Sequence, residues 1–348
     1  MSLQGGFRIL RRDGAEVRLL MFHHAGGSAA SYHQLASRLP PWCEPCLFEL
    51  PGRGVRSGEP FAPDYASAAG PAVAAVVSTA DRPTVLFGHS LGALLAHTVA
   101  CDVPEPARKM IRSVVFSACP PPGWVARRAR HPSGPFLLWP AEALDAELRR
   151  RGGCPKEVFE HPDLLRYART VLSQDMHLVD TYRAPSGELA GGDHRLWLAR
   201  DDLSLPPGTP QGWTDDLGVA PGTRWFGGGH FYLDTHRSEV AAALANLAEQ
   251  ARSFQRADHQ ESSNVSCAGP FDVTESEMLA IAAEAWRAVL GVTDVSAADD
   301  FFALGGTSIL ATKAVVLVQR RVSRRIRLRT LLEYPRLADF AAAVIQEK

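Results

Sequence analysis

Apolar runs of strand length alternate with longer, helically spaced segments over the first 120 residues. Arg18-Leu-Leu-Met-Phe22 reads as a strand that stops at Ala25-Gly-Gly27, and a helical pattern follows from Tyr32 to Leu39. Leu47–Leu50 reads as a second strand closed by Pro51-Gly52, and the Ala/Val-rich stretch Tyr65–Thr79 as a helix. Thr84–Phe87 and Ile111–Ser117 are further strands, with a helix over Ser90–Cys101 between them and a Pro120-Pro-Pro122 breaker after them. Strands separated by whole helices cannot pair through tight hairpins. The pattern therefore predicts parallel strands joined by βαβ crossovers, an α/β domain.

The rhythm changes at Ala141. Helical stretches near 141–151, 155–160 and 163–182 follow one another without a strand. A helical insertion of this kind in an α/β domain predicts a lid, over about residues 123–185. Alternation resumes with strands at Arg195–Ala199 and Arg224–Phe226 and a helix over Arg237–Ala251, completing a domain spanning 1–252. Residues 253–272 are polar and aperiodic and read as a flexible linker. Residues 273–348 pattern as a small helical bundle, with helices over Glu275–Leu290, Ser308–Gln319 and Arg336–Ile345 and a short turn near Arg329–Leu332.

Composition narrows the function. Of 348 residues 46% are hydrophobic and 22% charged, and the net charge is −1, so no basic excess exists to hold nucleic acid or an anionic membrane. No apolar stretch has spanning length and no signal peptide is visible, so a soluble, cytoplasmic protein is expected. Cys43-Glu-Pro-Cys46 has CxxC spacing. It lacks the second close pair a zinc site would want, and the apparent strand after it argues against a redox motif, so these thiols read as reduced and structural. No metal is expected.

Chemistry concentrates at Gly88-His-Ser-Leu-Gly92, between a strand and a helix. GxSxG in that setting is a nucleophile elbow with Ser90 exposed at a helix start. A serine hydroxyl needs a base. His230, in the late glycine-rich loop Gly227-Gly-Gly-His-Phe-Tyr-Leu233, is the best placed of the 12 histidines, since His89 and His97 belong to the elbow and its helix, and His131, His161 and His177 to the lid. The acid should leave a late strand, and both Asp201 and Asp202 follow Leu196-Trp-Leu-Ala199. Oxyanion donors are expected from the backbone amides of Leu91 and Ala25.

These pieces resemble the type II thioesterases of nonribosomal peptide and polyketide synthesis, which are α/β-hydrolases. The resemblance rests on Phe22-His-His-Ala-Gly-Gly27, Leu50-Pro-Gly-Arg-Gly54, Gly88-His-Ser-Leu-Gly-Ala93, Gly152-Gly-Cys-Pro155, Leu178-Val-Asp-Thr-Tyr182 and Gly228-Gly-His-Phe-Tyr-Leu233. It implies Ser90 as nucleophile, His230 as base, Ala25 and Leu91 as oxyanion donors, and selects Asp202 over Asp201. The chain departs from the family at His23, where proline is usual, and at Ser173-Gln174-Asp175, where Arg-Ala-Asp is usual at the presumed substrate entrance.

A second motif, Asp299-Asp-Phe-Phe-Ala-Leu-Gly-Gly-Thr-Ser-Ile309, resembles the attachment site of peptidyl carrier proteins, as do Ala285-Trp-Arg-Ala-Val-Leu-Gly291 and Glu333-Tyr-Pro-Arg-Leu337. The resemblance implies a four-helix carrier domain over 273–348 with 4'-phosphopantetheine on Ser308, where helix N-terminal amides favour a phosphodiester. The implied partners are a phosphopantetheinyl transferase, an adenylation enzyme or synthetase that loads the carrier, and other carrier domains. The expected activity is hydrolysis of carrier-bound acyl or aminoacyl thioesters through an acyl-serine. The alternatives are an acyl shuttle between carriers and a carrier scaffold with a vestigial hydrolase.

Overall fold

The predicted strands become the centre of an eight-stranded sheet in a computed structural model, in the order β1-β2-β4-β3-β5-β6-β7-β8. The strands are β1 Ser2–Gln4, β2 Phe7–Ile9, β3 Val17–Phe22, β4 Cys43–Phe48, β5 Thr84–His89, β6 Ile111–Ser117, β7 Asp193–Ala199 and β8 Gly222–Phe226. The structure describes residues 2–4, 6–127, 134–264, 274–306, 308–322, 326 and 328–346. From β4 through β8 every pairing is parallel, with helices on both faces. This α/β-hydrolase fold accounts for the unbroken apolar runs: Leu20 and Phe22 enter the core on one face of β3, and Leu19 and Met21 the core on the other.

Two parts of the sheet differ from expectation. The antiparallel strands β1 and β2 were not predicted, because three residues are too few to show an alternation. Phe7 of β2 nevertheless anchors this edge, meeting Phe22 and Phe48 edge-on at 5.7 and 5.2 Å. Strand β4 begins at Cys43, four residues before the predicted start at Leu47, since its pairing with β3 runs from Val17 opposite Cys43 to Met21 opposite Leu47. The CxxC cysteines therefore lie inside a central strand, where burial pushes both thiols up to about 12, too high to supply thiolate near neutral pH.

The helical insertion comprises Pro122–Arg127, a 3-10 turn at Phe136–Leu138, Ala141–Arg151, Lys156–Glu160 and Pro162–Asp180. The predicted helix over Tyr32–Leu39 is a 3-10 turn followed by one short α-helix, His33–Ala36. An unpredicted helix, Thr209–Leu217, is held by Trp213, whose indole N–H donates to the Cys119 carbonyl at 2.9 Å and whose ring stacks on Phe116 at 4.3 Å. Among the described residues no helix is long and apolar enough to cross a membrane.

The chain divides into two compact units, Met1–Glu261 and Ser262–Lys348. Helix Arg237–Asn264 continues well past Ala251, so residues 253–264 are helical where an irregular linker was expected. The rest of the expected linker, 265–272, lies outside the described residues.

The smaller unit contains helices Glu275–Leu290, Ser308–Val322, Leu328–Glu333 and Leu337–Gln346. Thr274 and Glu277 form a reciprocal capping box at the start of the first. The core centres on Trp286, which meets Phe301 edge-on at 5.0 Å and lies 6.2 Å from Phe340. Trp286→Ala should therefore cost this unit about 3–5 kcal/mol, of the order of a small domain's whole stability. Chemical denaturation should show an early transition for the small unit, with the transition of the larger one unmoved.

Candidate active site

The chemistry predicted from sequence gathers where strands of the parallel sheet end. Ser90 follows β5, Asp202 follows β7, His230 follows β8 and Ala25 follows β3, all beyond the carboxyl edge where open α/β sheets bind ligands. Ser90 has φ 56° and ψ −119°, a positive-φ conformation that non-glycine residues rarely adopt and that costs on the order of 1–3 kcal/mol. Neighbours hold it there: the Ser90 amide donates to the Ser117 carbonyl of β6 at 2.8 Å, and the Ala93 amide donates to the Ser90 carbonyl at 2.9 Å. The flanking glycines are required by packing. A Cβ on Gly88 would lie 2.0 Å from the Gly92 carbonyl oxygen, and one on Gly92 would lie 2.0 Å from that of Phe22. The helix from Leu91 is buried on every side through Cys101, so the serine sits on a rigid base.

Of the two candidate acids, Asp202 meets His230: the imidazole Nδ1–H donates to Asp202 Oδ2 at 2.8 Å, with both side chains buried. Asp201 is exposed, and its backbone amide donates to the Gly228 carbonyl at 3.0 Å. Sequence reasoning missed Ser204. Its hydroxyl donates to Asp202 Oδ1 at 2.6 Å and lies 3.1 Å from His230 Nδ1, while its amide donates to the same carboxylate oxygen at 2.9 Å. The signal was present as Asp-x-Ser, a pattern in which the carboxylate caps its own turn two residues on. Burial alone would raise the Asp202 pKa. The hydrogen bond and charge of His230 and the two bonds from Ser204 instead hold it below the ordinary carboxylate range.

The other histidines have different duties. His89 is fully buried, its Nδ1 2.7 Å from the Ser117 hydroxyl, which lies 2.7 Å from the Tyr232 hydroxyl. His177 on the lid contacts the Pro63 carbonyl at 3.1 Å, and His131 lies outside the described residues. His23, where the family usually has proline, stitches two loops together. Its Nδ1–H donates to the His24 carbonyl at 2.8 Å and its Nε2 accepts from the Leu50 amide at 3.4 Å. Both bonds suit the neutral ring, and burial lowers its pKa well below the usual value.

Ser90, Leu91, Ala25 and His230 line one cavity of about 510 Å³. Leu94, Trp124, Val125, Phe136, Met176 and Val179 give it an apolar wall, and Glu147, Arg150 and Arg151 from the lid contribute charge. Lid residue Asp175, expected at the substrate entrance, is instead fully buried against Arg53 of the Pro51-Gly-Arg53 turn. Its helical register turns it inward, while the next residue, Met176, reaches the cavity. Among the described residues no group of three or more potential ligands could hold a metal ion.

In the smaller unit Ser308 is the first residue of helix Ser308–Val322, where amides without intrahelical partners favour a phosphate. The preceding turn needs its glycines: Gly305 has φ +92°, and a Cβ on Gly306 would lie 2.3 Å from the Phe301 ring. A serine opening a helix behind such a turn fits a covalently attached phosphodiester.

Lid electrostatics yield a pH expectation. Burial would raise the Glu147 pKa, but hydrogen bonds and charge from Arg150 and Arg151 lower it from 4.5 to about 2. A carboxylate depressed on folding contributes stability above its unfolded pKa, and the contribution is lost as pH falls through its native value. Between pH 4.5 and 2, urea unfolding of Glu147→Gln should therefore fall off less steeply than that of the wild type.

Both units resemble known proteins. Residues 17–247 match the thioesterase domain family, and residues 282–344 match the phosphopantetheine attachment site. The chain is 31% identical over 245 residues to the probable cadicidin biosynthesis thioesterase of Streptomyces griseus, a match that spans 68% of this chain and 66% of that protein. It is 27% identical over 241 residues to the linear gramicidin dehydrogenase LgrE of Brevibacillus parabrevis, across 66% of this chain and 87% of that one. The type II thioesterase BorB from the borrelidin biosynthetic cluster has a TM-score of 0.59 and 28% identity, over 72% of this chain and 98% of its own. With most of the larger unit matched and the serine elbow inside the matched region, the chain belongs to the thioesterase domain family, followed by a phosphopantetheine-attachment domain.

Proposed function

We propose that this protein hydrolyses acyl or aminoacyl thioesters carried on phosphopantetheine arms in nonribosomal peptide or polyketide assembly, using Ser90, His230 and Asp202. The observation that carries the reading is the buried His230–Asp202 pair on the cavity that Ser90 lines, in a chain that also holds a carrier domain. Asp202 keeps the Nδ1 proton on His230, which leaves Nε2 as the base for the Ser90 hydroxyl. Ser90 Oγ attacks the thioester carbonyl and its proton passes to His230. The tetrahedral oxyanion is received by the amides of Ala25 and Leu91. His230 then returns the proton to the departing thiolate, leaving an acyl ester on Ser90. Water, deprotonated by His230, repeats the attack and releases the free acid.

Attachment of the arm to Ser308 makes a phosphopantetheinyl transferase a partner, with an adenylation enzyme or synthetase loading the carrier. Coenzyme A as source of the arm supports a cytoplasmic setting. An acyl shuttle would share every step up to the acyl-serine and differ only in using a second carrier's thiol as acceptor.

Asp202→Asn should lower kcat by about 10³–10⁴, because the amide no longer holds the imidazole tautomer. Asp201→Asn should change it by less than about twofold, as expected for an exposed residue away from the site. Steady-state hydrolysis of an acyl-N-acetylcysteamine thioester reads both, and the reverse ranking would move the acid to Asp201.

Intact-protein mass spectrometry tests the pairing of the two domains. The arm should add to the wild type and not to Ser308→Ala. After acyl loading, the wild type should release free acid while Ser90→Ala retains the acyl group. A half-life independent of protein concentration would mark transfer within one chain, and a half-life that lengthens on dilution would mark transfer between chains. Appearance of the acyl group on an added carrier in place of free acid would select the shuttle.

A further inference from the structure

The loop after β3 presents five consecutive amides, those of residues 25–29, and four of them are committed. The Gly26 N–H donates to Asp175 Oδ2 at 2.7 Å, Gly27 to the His24 carbonyl at 3.1 Å, Ser28 to Ser31 Oγ at 3.2 Å and Ala29 to Glu49 Oε1 at 3.0 Å. Ala25, which lines the cavity with Ser90, is the member of this run whose amide has no acceptor among the described residues.

The direction of that amide is set by its own peptide plane. In a planar trans peptide the carbonyl of one residue and the N–H of the next point opposite ways. The His24 carbonyl is held by the Gly27 amide at 3.1 Å and by His23 Nδ1–H at 2.8 Å. Gly27 is held in turn by Arg53, whose Nη1 donates to the Gly27 carbonyl at 3.1 Å. Arg53 also makes a two-pronged pair with Asp175, Nη1 to Oδ2 at 2.5 Å and Nη2 to Oδ1 at 2.6 Å. Asp175 thus joins the lid helix Pro162–Asp180 to the loop behind the elbow, at a site where both charged side chains are buried.

We propose that Arg53 and Asp175 are positioning residues that aim the Ala25 amide at the developing oxyanion, so that the seating of the lid helix is coupled to the assembly of the oxyanion hole. The proposal rests on the hydrolase reading above. A buried ion pair contributes little net stability, since desolvation offsets most of its attraction. What an apolar pair of the same size lacks is an acceptor for Gly26 N–H and a donor for the Gly27 carbonyl. Misplacing a catalytic donor by about 1 Å costs about 100-fold in rate.

The test compares two charge-free double variants of the full chain. Arg53→Met/Asp175→Asn keeps a neutral acceptor for Gly26, and Arg53→Met/Asp175→Leu has none. Both are assayed by thermal melting, by hydrolysis of a short and a long acyl-N-acetylcysteamine thioester, and by inhibition with an acyl trifluoromethyl ketone, which forms a tetrahedral oxyanion adduct on serine. The expected result is a kcat about 100-fold below wild type for the leucine variant on both substrates, with KM within about threefold and ketone affinity lost in parallel; the asparagine variant should stay within about tenfold. Turnover within about threefold of wild type in both folded variants would overturn the proposal, and so would a loss expressed in KM that depends on chain length, which would mark a purely structural lid contact. If the leucine variant does not fold, Arg53→Met/Asp175→Ala takes its place with the same expected ratios. Ser90→Ala separates the two readings: turnover surviving that change removes the hydrolase reading itself, whereas its loss beside unimpaired Asp175 variants removes only this proposal.

Discussion

The closeness of the elbow helix to the sheet governs the rest of the larger unit. Any side chain at Gly92 would strike the β3 backbone, and any at Gly88 would strike the turn itself. This approach forces Ser90 into its positive-φ conformation and packs Leu91–Cys101 on every side. It also brings the end of β3, and with it Ala25, beside the start of the elbow helix. The strain at one residue is small against the burial that surrounds it, and the parallel pairings of β5 with β3 and β6 keep the turn from relaxing.

Around this rigid point, charge is arranged with little freedom. Asp202 is surrounded by donors, so burial does not neutralise it, and His230 is oriented from one side only. His89, its ring tilted against His230 at 5.1 Å, and His24, edge-on to His89 at 5.9 Å, are both kept neutral by burial, His24 with a pKa lowered to about 3. The buried charged pair of Arg53 and Asp175 lies behind the Ala25 loop, and its hydrogen bonds fix the Gly26 and Gly27 backbone in a way that apolar packing could not.

The two units solve different problems. The larger uses a layered sheet to place groups distant in sequence at one edge. The smaller wraps helices around Trp286 and Phe301, and its turn with Gly305 and Gly306 leads directly into the helix that Ser308 opens. In the smaller unit the candidate site is local, a short loop and a helix start. In the larger the candidate residues come from the ends of four strands.

That difference accounts for what could be read in advance. Strand–helix alternation, GxSxG, the glycine-rich loop of His230 and the carrier motif are local patterns; the structure places the elbow between β5 and its helix and the His230 loop after β8. Local sequence also announced both Asp201 and Asp202, and the family likeness pointed to the second. Geometry brings Asp202 onto the imidazole and leaves Asp201 exposed, because one residue of loop advance turns a side chain from the site to solvent. The strands β1 and β2, the early start of β4 and the burial of Asp175 against Arg53 were not legible. Each depends on a partner distant in the chain or on a turn's detailed path. The sequence by itself determined which chemical groups this protein owns and the elements that carry them. Tertiary structure decided which of those groups meet, because parallel strand ends and a lid helix bring together residues as far apart as Gly26 and Asp175, whose contact no local pattern encodes.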